Sequence, residues 1–193
     1  MFRSLPAILL MLSAALAPAR ADDAVRLASL SGTYASVAAE PWYGAYGTRS
    51  FTFDRGRWSL DFLFALDPGM TKPVFRFRTE GPYRLSGPST IVPGAFNAVF
   101  GEERKWVTLL TADAELAQRV GLDRCGLTPG AERDISVSGC ANWRPVAICG
   151  EDHDLLAIDK AGALRFGVRP RDNDMCTAEK RPTQLLEPTV VRR

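Results

Sequence analysis

The only histidine of the chain, His153, lies in a run of ionisable residues, Glu151-Asp152-His153-Asp154. Carboxylates beside an imidazole can ligate a divalent cation or form the acid–base pair of a hydrolase. Neighbouring side chains of an extended segment point to opposite faces, so these four side chains cannot all converge on one ion. A small periplasmic hydrolase that uses these carboxylates is therefore one hypothesis. The simpler interpretation is that His153 hydrogen-bonds to loop backbone.

Other motifs for catalysis or cofactor binding are missing from the sequence. It contains no Gly-x-Ser-x-Gly nucleophile motif, no phosphate-binding loop and no dinucleotide-binding glycine pattern. Asp172-Asn173-Asp174 resembles part of a calcium loop, but it lacks the later glycine and glutamate of an EF-hand and is more typical of a turn. The sequence therefore predicts a protein that is not an enzyme, with no catalytic residue, metal site or cofactor.

Four cysteines lie in the second half of the chain, at positions Cys125, Cys140, Cys149 and Cys176. An even number of cysteines in an exported protein indicates disulfides, and four cysteines allow three pairings. No two of them are spaced as C-x-x-C, which disfavours zinc-ribbon and thioredoxin-type sites. Proximity along the chain favours Cys125–Cys140 with Cys149–Cys176.

Arg49 is the charged residue that shares its strand parity with the aromatic residues Phe51 and Phe53. If it points into the protein, its guanidinium requires an anionic or carbonyl partner, because an unpaired buried charge costs several kcal/mol. A structural carboxylate such as Glu40 or Glu80 is the simpler candidate. A ligand carboxylate or phosphate, bound through two parallel hydrogen bonds, is the functional one.

The strands that position Arg49 alternate between large apolar and polar residues from Gly47 to Leu85. This period of two places one set of residues on a single side of a sheet, which we call the aromatic face: Phe51, Phe53, Trp58, Leu60, Phe62, Phe64, Phe75, Phe77, Tyr83 and Leu85. The opposite face carries Arg57, Asp61, Arg76, Arg78 and Arg84. The aromatic face is either an ordinary core or the lining of an apolar pocket.

Further strands are predicted on both sides of this region. They cover Leu30–Ser36, Ala95–Phe100, Lys105–Thr111, Asp134–Gly139, Val146–Cys149, Leu155–Asp159 and Ala163–Val168. A turn is predicted at Gly81-Pro82, a helix capped by Asp113, and an irregular tail from Asp172. This order predicts a mainly β fold, an antiparallel open barrel or half-barrel curled around one short α-helix.

The beginning of the chain resembles a secretory signal peptide, with Arg3, an apolar stretch over Leu5–Leu16 and small residues up to Ala21. Cleavage after Ala21 would leave a single domain over residues 22–193. Of the 24 basic residues, Arg3 and Arg20 fall in the leader, so 22 remain against 22 acidic ones. The mature protein is therefore expected to be exported, periplasmic or secreted, without a transmembrane anchor and without nucleic-acid binding. Its oligomeric state is left open.

Several of these segments resemble the adenomatosis polyposis coli down-regulated domain family. The matching residues are Gly32-Thr33-Tyr34-x-Ser36, Glu40-Pro41, Thr48-Arg49-Ser50-Phe51-Thr52-Phe53, Gly81-x-Tyr83-x-Leu85-x-Gly87-x-Ser89, Val92-Pro93-Gly94-Ala95 and Val107-Thr108-Leu109. The resemblance implies an open β-barrel around a helix and, through the family, binding of lipids or lipidated partners. The animal members are membrane-tethered Wnt antagonists with two copies of the domain. This chain has one copy, no membrane helix and Ala39 in place of a family cysteine, so the resemblance implies a single-domain, exported bacterial-type relative rather than a Wnt antagonist.

The leading functional hypothesis is an exported, non-enzymatic protein with a hydrophobic pocket for a lipid or other apolar ligand. Its candidate ligand-binding residues are Arg49, Phe51, Phe53, Trp58, Leu60, Phe62, Phe64, Phe75, Phe77 and Tyr83. It requires a cavity of several hundred cubic ångströms lined by Trp58, Phe62 and Phe77. The hydrolase hypothesis instead requires Asp152, His153 and Asp154 to meet in a cleft. The third hypothesis, an interaction module, requires a filled core.

Overall fold

The computed structural model describes residues 17–193, with side chains from residue 21 onward. Within this range the chain forms two α-helices and eleven β-strands. Their bounds are α1 Ala17–Ala28, β1 Gly32–Ser36, β2 Glu40–Trp42, β3 Ala45–Asp54, β4 Arg57–Ala65, β5 Pro73–Pro88, β6 Phe96–Gly101, β7 Arg104–Leu109, α2 Ala114–Arg119, β8 Glu132–Asp134, β9 Glu151–Ile158, β10 Leu164–Phe166 and β11 Val190–Arg192.

Eight of the strands close into an antiparallel barrel in the order β1-β3-β4-β5-β6-β9-β10-β11. The other three extend its sheet: β2 pairs with the start of β3, β7 pairs with the first half of β5, and β8 pairs with β7. The mainly β, antiparallel barrel fold predicted from the sequence is confirmed, although the sheet closes completely instead of forming an open barrel or half-barrel. A barrel of eight strands encloses enough space to hold one small ligand.

The two faces predicted from the period of two are present in the sheet. Phe62 lies opposite Phe77 on the inner face, whereas Asp61 lies opposite Arg78 and forms an ion pair with Arg76 on the outer face. The other outward arginines, Arg57, Arg78 and Arg84, pair with Glu103, Glu132 and Glu151. These exposed ion pairs make the outer surface polar, whereas the aromatic side chains lie in the interior.

Strand β5 is continuous where the sequence predicts a turn at Gly81-Pro82, so that prediction is wrong. The missing side chain of Gly81 lets strand β6 come close, because a Cβ there would lie 2.1 Å from the carbonyl oxygen of Gly101. At this point β5 exchanges β7 for β6 as its neighbour. Neither β7 nor β6 pairs with β5 at Gly81-Pro82, so the proline interrupts no hydrogen bond on that side. The strand therefore continues through these two residues.

The second half of the chain contains less strand than predicted over 134–149. Strand β8 ends at Asp134, and a backbone hydrogen bond of 2.8 Å from Gly139 to Ile135 folds the next residues into a turn. The predicted strand Val146–Cys149 is also a turn, in which the N–H of Cys149 donates to Pro145. Local hydrogen bonds of this kind replace the strand ladder between closely spaced cysteines.

The tail predicted to be irregular contains the strand that closes the barrel. Val190 lies opposite both Ser36 of β1 and Leu164 of β10, and its side chain is fully buried. The strand is only three residues long, so its sequence shows no alternation from which it could be predicted. The pairing with β1 and β10 determines its structure.

Two disulfides staple the second half of the chain, and their pairing is the one that sequence proximity favours. Cys125 is bonded to Cys140, and Cys149 is bonded to Cys176. The first disulfide closes the segment that follows α2. The second attaches the start of β9 to the segment after β10.

One end of the barrel is filled by the segment around α1. The buried side chains of Leu27 and Leu30 pack with the aromatic residues of the barrel. The hydroxyl of Tyr83 donates to the carbonyl of Leu27 at 3.1 Å and accepts the N–H of Leu30 at 3.0 Å. This end of the barrel is therefore a packed core.

The predicted helix after Asp113 is confirmed as α2, with the Asp113 carboxylate accepting the N–H of Leu116 at 3.0 Å. Leu116 and Ala117 pack against buried residues of β4, β5 and β7. The apolar stretch Leu5–Leu16 of the predicted leader lies outside the described residues. Within residues 17–193, no helix has both the length and the apolar character needed to cross a membrane.

Candidate functional site

A cavity of about 920 Å³ occupies the other half of the barrel, beyond the packed end. One wall is aromatic and comes mainly from strands β3, β4 and β5. Its side chains, here called the aromatic wall, are Phe51, Trp58, Leu60, Phe62, Phe64, Phe75 and Phe77, together with Trp143 from the disulfide-closed segment. The cavity therefore lies where the inner faces of three neighbouring strands carry rings at alternate positions.

Eight of the ten residues predicted to bind a ligand line this cavity: Arg49, Phe51, Trp58, Leu60, Phe62, Phe64, Phe75 and Phe77. The other two, Phe53 and Tyr83, lie on the same face but in the packed end, with their ring centroids 5.1 Å apart. Phe53 is 1% exposed and takes no part in the lining. Parity predicts which face a residue occupies, but not how far along the barrel the core is filled.

The rings between the cavity and the packed end are closely stacked. Phe51 and Phe166 are 4.2 Å apart and nearly parallel, and Trp58 meets Phe100 edge-on at 4.8 Å. The indole N–H of Trp58 donates to the carbonyl of Gly101 at 2.8 Å. This bond fixes the ring in the layer between the cavity and the packed end, here called the floor. This floor is rigid because aromatic contacts and a hydrogen bond hold the same side chain.

Trp143 packs against the phenylalanines of the aromatic wall, and the sequence does not predict this contact. Its ring stacks on Phe77 at 4.6 Å with an interplanar angle of 4°, and it meets Phe75 edge-on at 5.4 Å. The Cys125–Cys140 disulfide and paired backbone hydrogen bonds between Cys140 and Trp143 hold the segment in place. A tryptophan three residues after a disulfide cysteine gives no signal of this role without the fold.

Arg49 points inward, as predicted, and its partner is the structural carboxylate Glu40. The guanidinium donates to the two carboxylate oxygens at 2.9 and 3.1 Å and to the carbonyl of Pro188 at 3.0 Å. Both side chains are 5% exposed. Arg49 also lies over the rings of Trp42, Phe51 and Phe166, at 5.7 to 5.9 Å. Its charge is therefore satisfied within the protein.

The wall opposite the aromatic residues is polar, and sequence reasoning missed it. This polar wall consists of Glu102 after β6, Asp152 and Asp154 on β9, and Arg169 after β10. Asp152 and Asp154 alternate along β9 with the same spacing as Leu156, whose side chain is fully buried. This spacing was the available signal in the sequence that both aspartates point inward. Without the strand pairing, that signal does not distinguish a polar cavity wall from a solvated edge.

Each carboxylate of the polar wall has a different set of partners. Arg169 forms an ion pair with Asp152, and Lys105 forms one with Glu102. Asp154 has no such partner among the side chains of residues 21–193: one of its oxygens, Oδ1, accepts the backbone N–H groups of Leu155 at 2.7 Å and Gly167 at 2.9 Å. A Cβ on Gly167 would lie 2.5 Å from that oxygen, so this contact requires glycine.

Burial shifts the ionisation of the polar wall. It raises the pKa of Asp154 to about 6, against the opposing effects of Arg169 and the two backbone N–H groups. Burial and the neighbouring Asp152 carboxylate raise the pKa of Glu102 to about 7, although its ion pair with Lys105 acts in the other direction. Burial also opposes the charge of Arg169, but the carboxylates outweigh it and raise the pKa of the guanidinium. Two acids of this wall therefore titrate between acidic and neutral pH.

The run Glu151-Asp152-His153-Asp154 is divided between two faces. Asp152 and Asp154 face the cavity, whereas His153 lies on the other side of β9, 3.3 Å from Arg181 and 3.5 Å from Glu151. Burial and Arg181 lower the pKa of His153. The three side chains that the hydrolase hypothesis brings together in a cleft do not meet. Within residues 17–193, no three His, Cys, Asp or Glu side chains are arranged to hold a metal ion.

Asp172-Asn173-Asp174 forms a turn at the outer end of the cavity. The carboxylate of Asp172 accepts the N–H of Asp174 at 3.1 Å, and that of Asp174 accepts the N–H of Cys176 at 3.3 Å. Asn173 accepts a hydrogen bond from Arg169. Through Asn173, the turn therefore helps to hold Arg169 in the polar wall.

Exposed residues mark the mouth of the cavity. They are Tyr43, Gly44, Arg119, Ala141, Asn142 and Arg171. The hydroxyl of Tyr43 donates to the carbonyl of Pro170 at 3.3 Å, which links the β2–β3 turn to the segment after β10. No protein family and no curated protein matches this chain. The proposal for its function therefore rests on the site and on the sequence.

Proposed function

We propose that this protein is an exported, non-enzymatic binding protein whose barrel cavity holds a lipid or another ligand with an apolar body. The observation that carries the proposal is the cavity of about 920 Å³ beside the aromatic wall. Ligand pockets typically enclose about 300–1,000 Å³ and are lined mainly by apolar and aromatic side chains with a few polar groups. The size and lining of this cavity match that description.

The energetics of an apolar ligand favour binding in such a site. Each methylene group removed from water contributes about 0.8 kcal/mol, so a long acyl chain gains enough without any polar contact. The floor formed by Phe51, Trp58 and Phe166 is held in place before a ligand arrives. Preorganisation of this kind reduces the ordering cost of binding.

The resemblance to the adenomatosis polyposis coli down-regulated domain supports the same proposal. It implies a barrel that binds lipid or lipidated ligands, and its most specific segment, Thr48 to Phe53, contributes Arg49 and Phe51 to the cavity. The leader-like sequence and the two disulfides support export to the periplasm or the medium. The cavity disfavours the third hypothesis, an interaction module with a filled core.

The hydrolase hypothesis keeps one supporting observation, the presence of Asp152 and Asp154 in the cavity with a raised pKa for Asp154. Arg169 already holds Asp152, and the Oδ1 atom of Asp154 already accepts two backbone N–H groups. Hydrolysis of short acyl esters by the purified protein, lost in Asp154→Asn, would favour this second candidate over a binding protein.

The binding proposal is tested by displacing a neutral fluorophore, N-phenylnaphthylamine, with hydrocarbon-chain ligands. We expect Trp58→Ala and Phe62→Ala to weaken binding of the fluorophore by about tenfold, because each removes a large apolar contact area. Arg76→Ala and Arg78→Ala, on the outer face of the same sheet, are the matched controls and should leave affinity unchanged. Equal effects of the inner and outer substitutions would contradict the proposal.

A further inference from the structure

The polar wall has more acid than base. Three buried carboxylates, Glu102, Asp152 and Asp154, are 4 to 6% exposed. Two cations face them, Lys105 and Arg169, and each is committed to one carboxylate, Lys105 to Glu102 and Arg169 to Asp152. Asp154 is left without an ion-pair partner among the described residues.

One oxygen of Asp154 remains free on the cavity side. Both backbone N–H groups that reach this carboxylate bind Oδ1, and no hydrogen bond within the described chain reaches Oδ2. Asp154 belongs to the lining of the cavity, and its partner across the β6–β9 pair is the buried Ala98. A buried acceptor oriented in this way can receive a hydrogen bond from a bound molecule.

Two aromatic rings of the cavity lie close to the polar wall in the sheet. Phe100 lies directly opposite Asp152 in the β6–β9 pair, and Phe166 precedes the Gly167 whose N–H binds Asp154. Both rings line the cavity. A carboxylate with a free oxygen next to aromatic rings has the composition that recognises organic ammonium groups, which combine a hydrogen bond with cation–π attraction.

We infer that the cavity binds amphiphiles with a primary ammonium head, and that the free oxygen of Asp154 accepts a hydrogen bond from that head while the chain lies along the aromatic wall. The inference rests on the proposed function, since it names the class of ligand that the same cavity takes. The protonated head supplies the cation that Asp154 lacks, so it removes the cost of an unpaired buried charge. A carboxylate head has the wrong charge for this position.

The inference also fixes the direction of a pH effect. The charged groups around Asp154 are Asp152 on the same strand, Glu102 after β6, Arg169 after β10 and Arg181, which donates to the Asp154 carbonyl from the outer side of β9. Because burial raises the pKa of Asp154 to about 6, this carboxylate is ionised at pH 8 and protonated at pH 5. Affinity for an ammonium head should therefore fall as the pH is lowered across this range.

The test compares three ligands with the same chain and different heads, decylamine, decanol and decanoate, as competitors of N-phenylnaphthylamine on the mature protein at pH 7.5. Decylamine is expected to bind about tenfold more tightly than decanol, and decanoate more weakly than either. In Asp154→Asn, which keeps the Oδ1 acceptor, decylamine should lose this advantage. Asp61→Asn, on the outer face, is the control and should retain it.

The outcomes separate this inference from the proposed function. If the fluorophore binds but the three competitors are equivalent, or if Asp154→Asn keeps the amine preference, the inference is wrong and the binding proposal stands. Preference for decanoate would place an anionic head elsewhere, at the exposed Arg119 and Arg171 of the mouth. If neither the fluorophore nor any competitor binds, both proposals fail. Should Asp154→Asn not fold, a wild-type amine affinity that is unchanged between pH 8 and pH 5 overturns the inference.

Discussion

The ring of Phe62 lies against the backbone of Gly47, so closely that a Cβ at position 47 would be 2.6 Å from it. The same Cβ would be 2.8 Å from the indole of Trp42, which packs edge-on against Phe62 with the ring centroids 5.3 Å apart. Because Gly47 has no side chain, the Phe62 ring can pack against the strand backbone and extends less far into the cavity.

Gly47→Ala should push the Phe62 ring into the cavity. We expect affinity for N-phenylnaphthylamine to fall and the free energy of unfolding to drop by about 1–3 kcal/mol, the usual cost of an added methyl group in a packed site. Urea denaturation and fluorescence titration measure the two effects. Gly69→Ala, in the β4–β5 loop and outside the cavity lining, is the control for affinity and should leave it unchanged, although its Cβ would lie 3.1 Å from the Asp67 carboxylate. Unaltered affinity in Gly47→Ala would show that Phe62 does not limit the space for a ligand.

Glu40→Ala should destabilise the fold far more than the loss of an exposed ion pair. Among the described residues, it leaves the buried Arg49 guanidinium with only the carbonyl of Pro188 as a hydrogen-bond acceptor, a change that typically costs about 3–5 kcal/mol. Asp61→Ala breaks the exposed pair with Arg76 and should cost about 1 kcal/mol or less. Urea denaturation of both variants makes the comparison. Equal losses would mean that Arg49 finds another partner when Glu40 is removed.

Local sequence determines the two faces of the central sheet, because the period of two in β3, β4 and β5 is strong and uninterrupted within each segment. It predicts correctly that Phe62 and Phe77 face inward and that Arg76 and Arg78 face outward. It does not predict that β5 continues through Gly81, since that depends on the approach of Gly101 from a strand further along the chain. Long-range contacts of this kind have no local signature.

The candidate site was predictable only in part, for a similar reason. The aromatic wall follows from the alternation, but the limit between cavity and packed core depends on Leu27 and Leu30, which fill the end where Phe53 and Tyr83 lie. The polar wall depends on the pairing of β9 with β6 and β10, which buries two aspartates. A charged pair of residues on a strand is otherwise expected at the surface.

The two acids of the polar wall should lower the stability as the pH rises from about 5 to about 8, more than the lowered pKa of the single His153 raises it. In the folded protein the pKa of Asp154 is raised to about 6 and that of Glu102 to about 7, so the folded state holds protons that the unfolded state has already lost. Their contribution is fully present below the unfolded pKa values and is lost as the pH passes through the folded ones. Urea denaturation at pH 5 and pH 8 measures the difference.

Asp154→Asn isolates the part of that effect that belongs to Asp154. The amide cannot ionise, so the stability of the variant relative to the wild type should increase by about 1–2 kcal/mol between pH 5 and pH 8, as Asp154 ionises in the folded wild type. At more acidic pH the lowered pKa of Asp134, about 2, acts in the opposite sense, which places the comparison above pH 4.5. A stability difference between variant and wild type that is the same at pH 5 and pH 8 would contradict the assignment.

Leu60→Trp should fill the cavity at little cost to the fold, because Leu60 is only partly buried against the core. Leu60 lies on the aromatic wall opposite Phe51, where the larger side chain has the cavity to enter. We expect binding of N-phenylnaphthylamine to weaken by about tenfold or more, with little change in the urea midpoint. Leu63→Trp places the same side chain on the outer face of β4 and should bind as the wild type does. Similar binding by both variants would argue against this cavity as the ligand site.

The most direct test of the central claim, that the cavity holds a ligand with an apolar body, is to identify what the protein carries from its cells. The wild type and Leu60→Trp would be purified in parallel from the cells that produce them, extracted with organic solvent and analysed by mass spectrometry. We predict an amphiphile in stoichiometric amount with the wild type and its absence from Leu60→Trp. A wild-type protein that carries no such molecule, and that binds neither N-phenylnaphthylamine nor decylamine after purification, would contradict the claim.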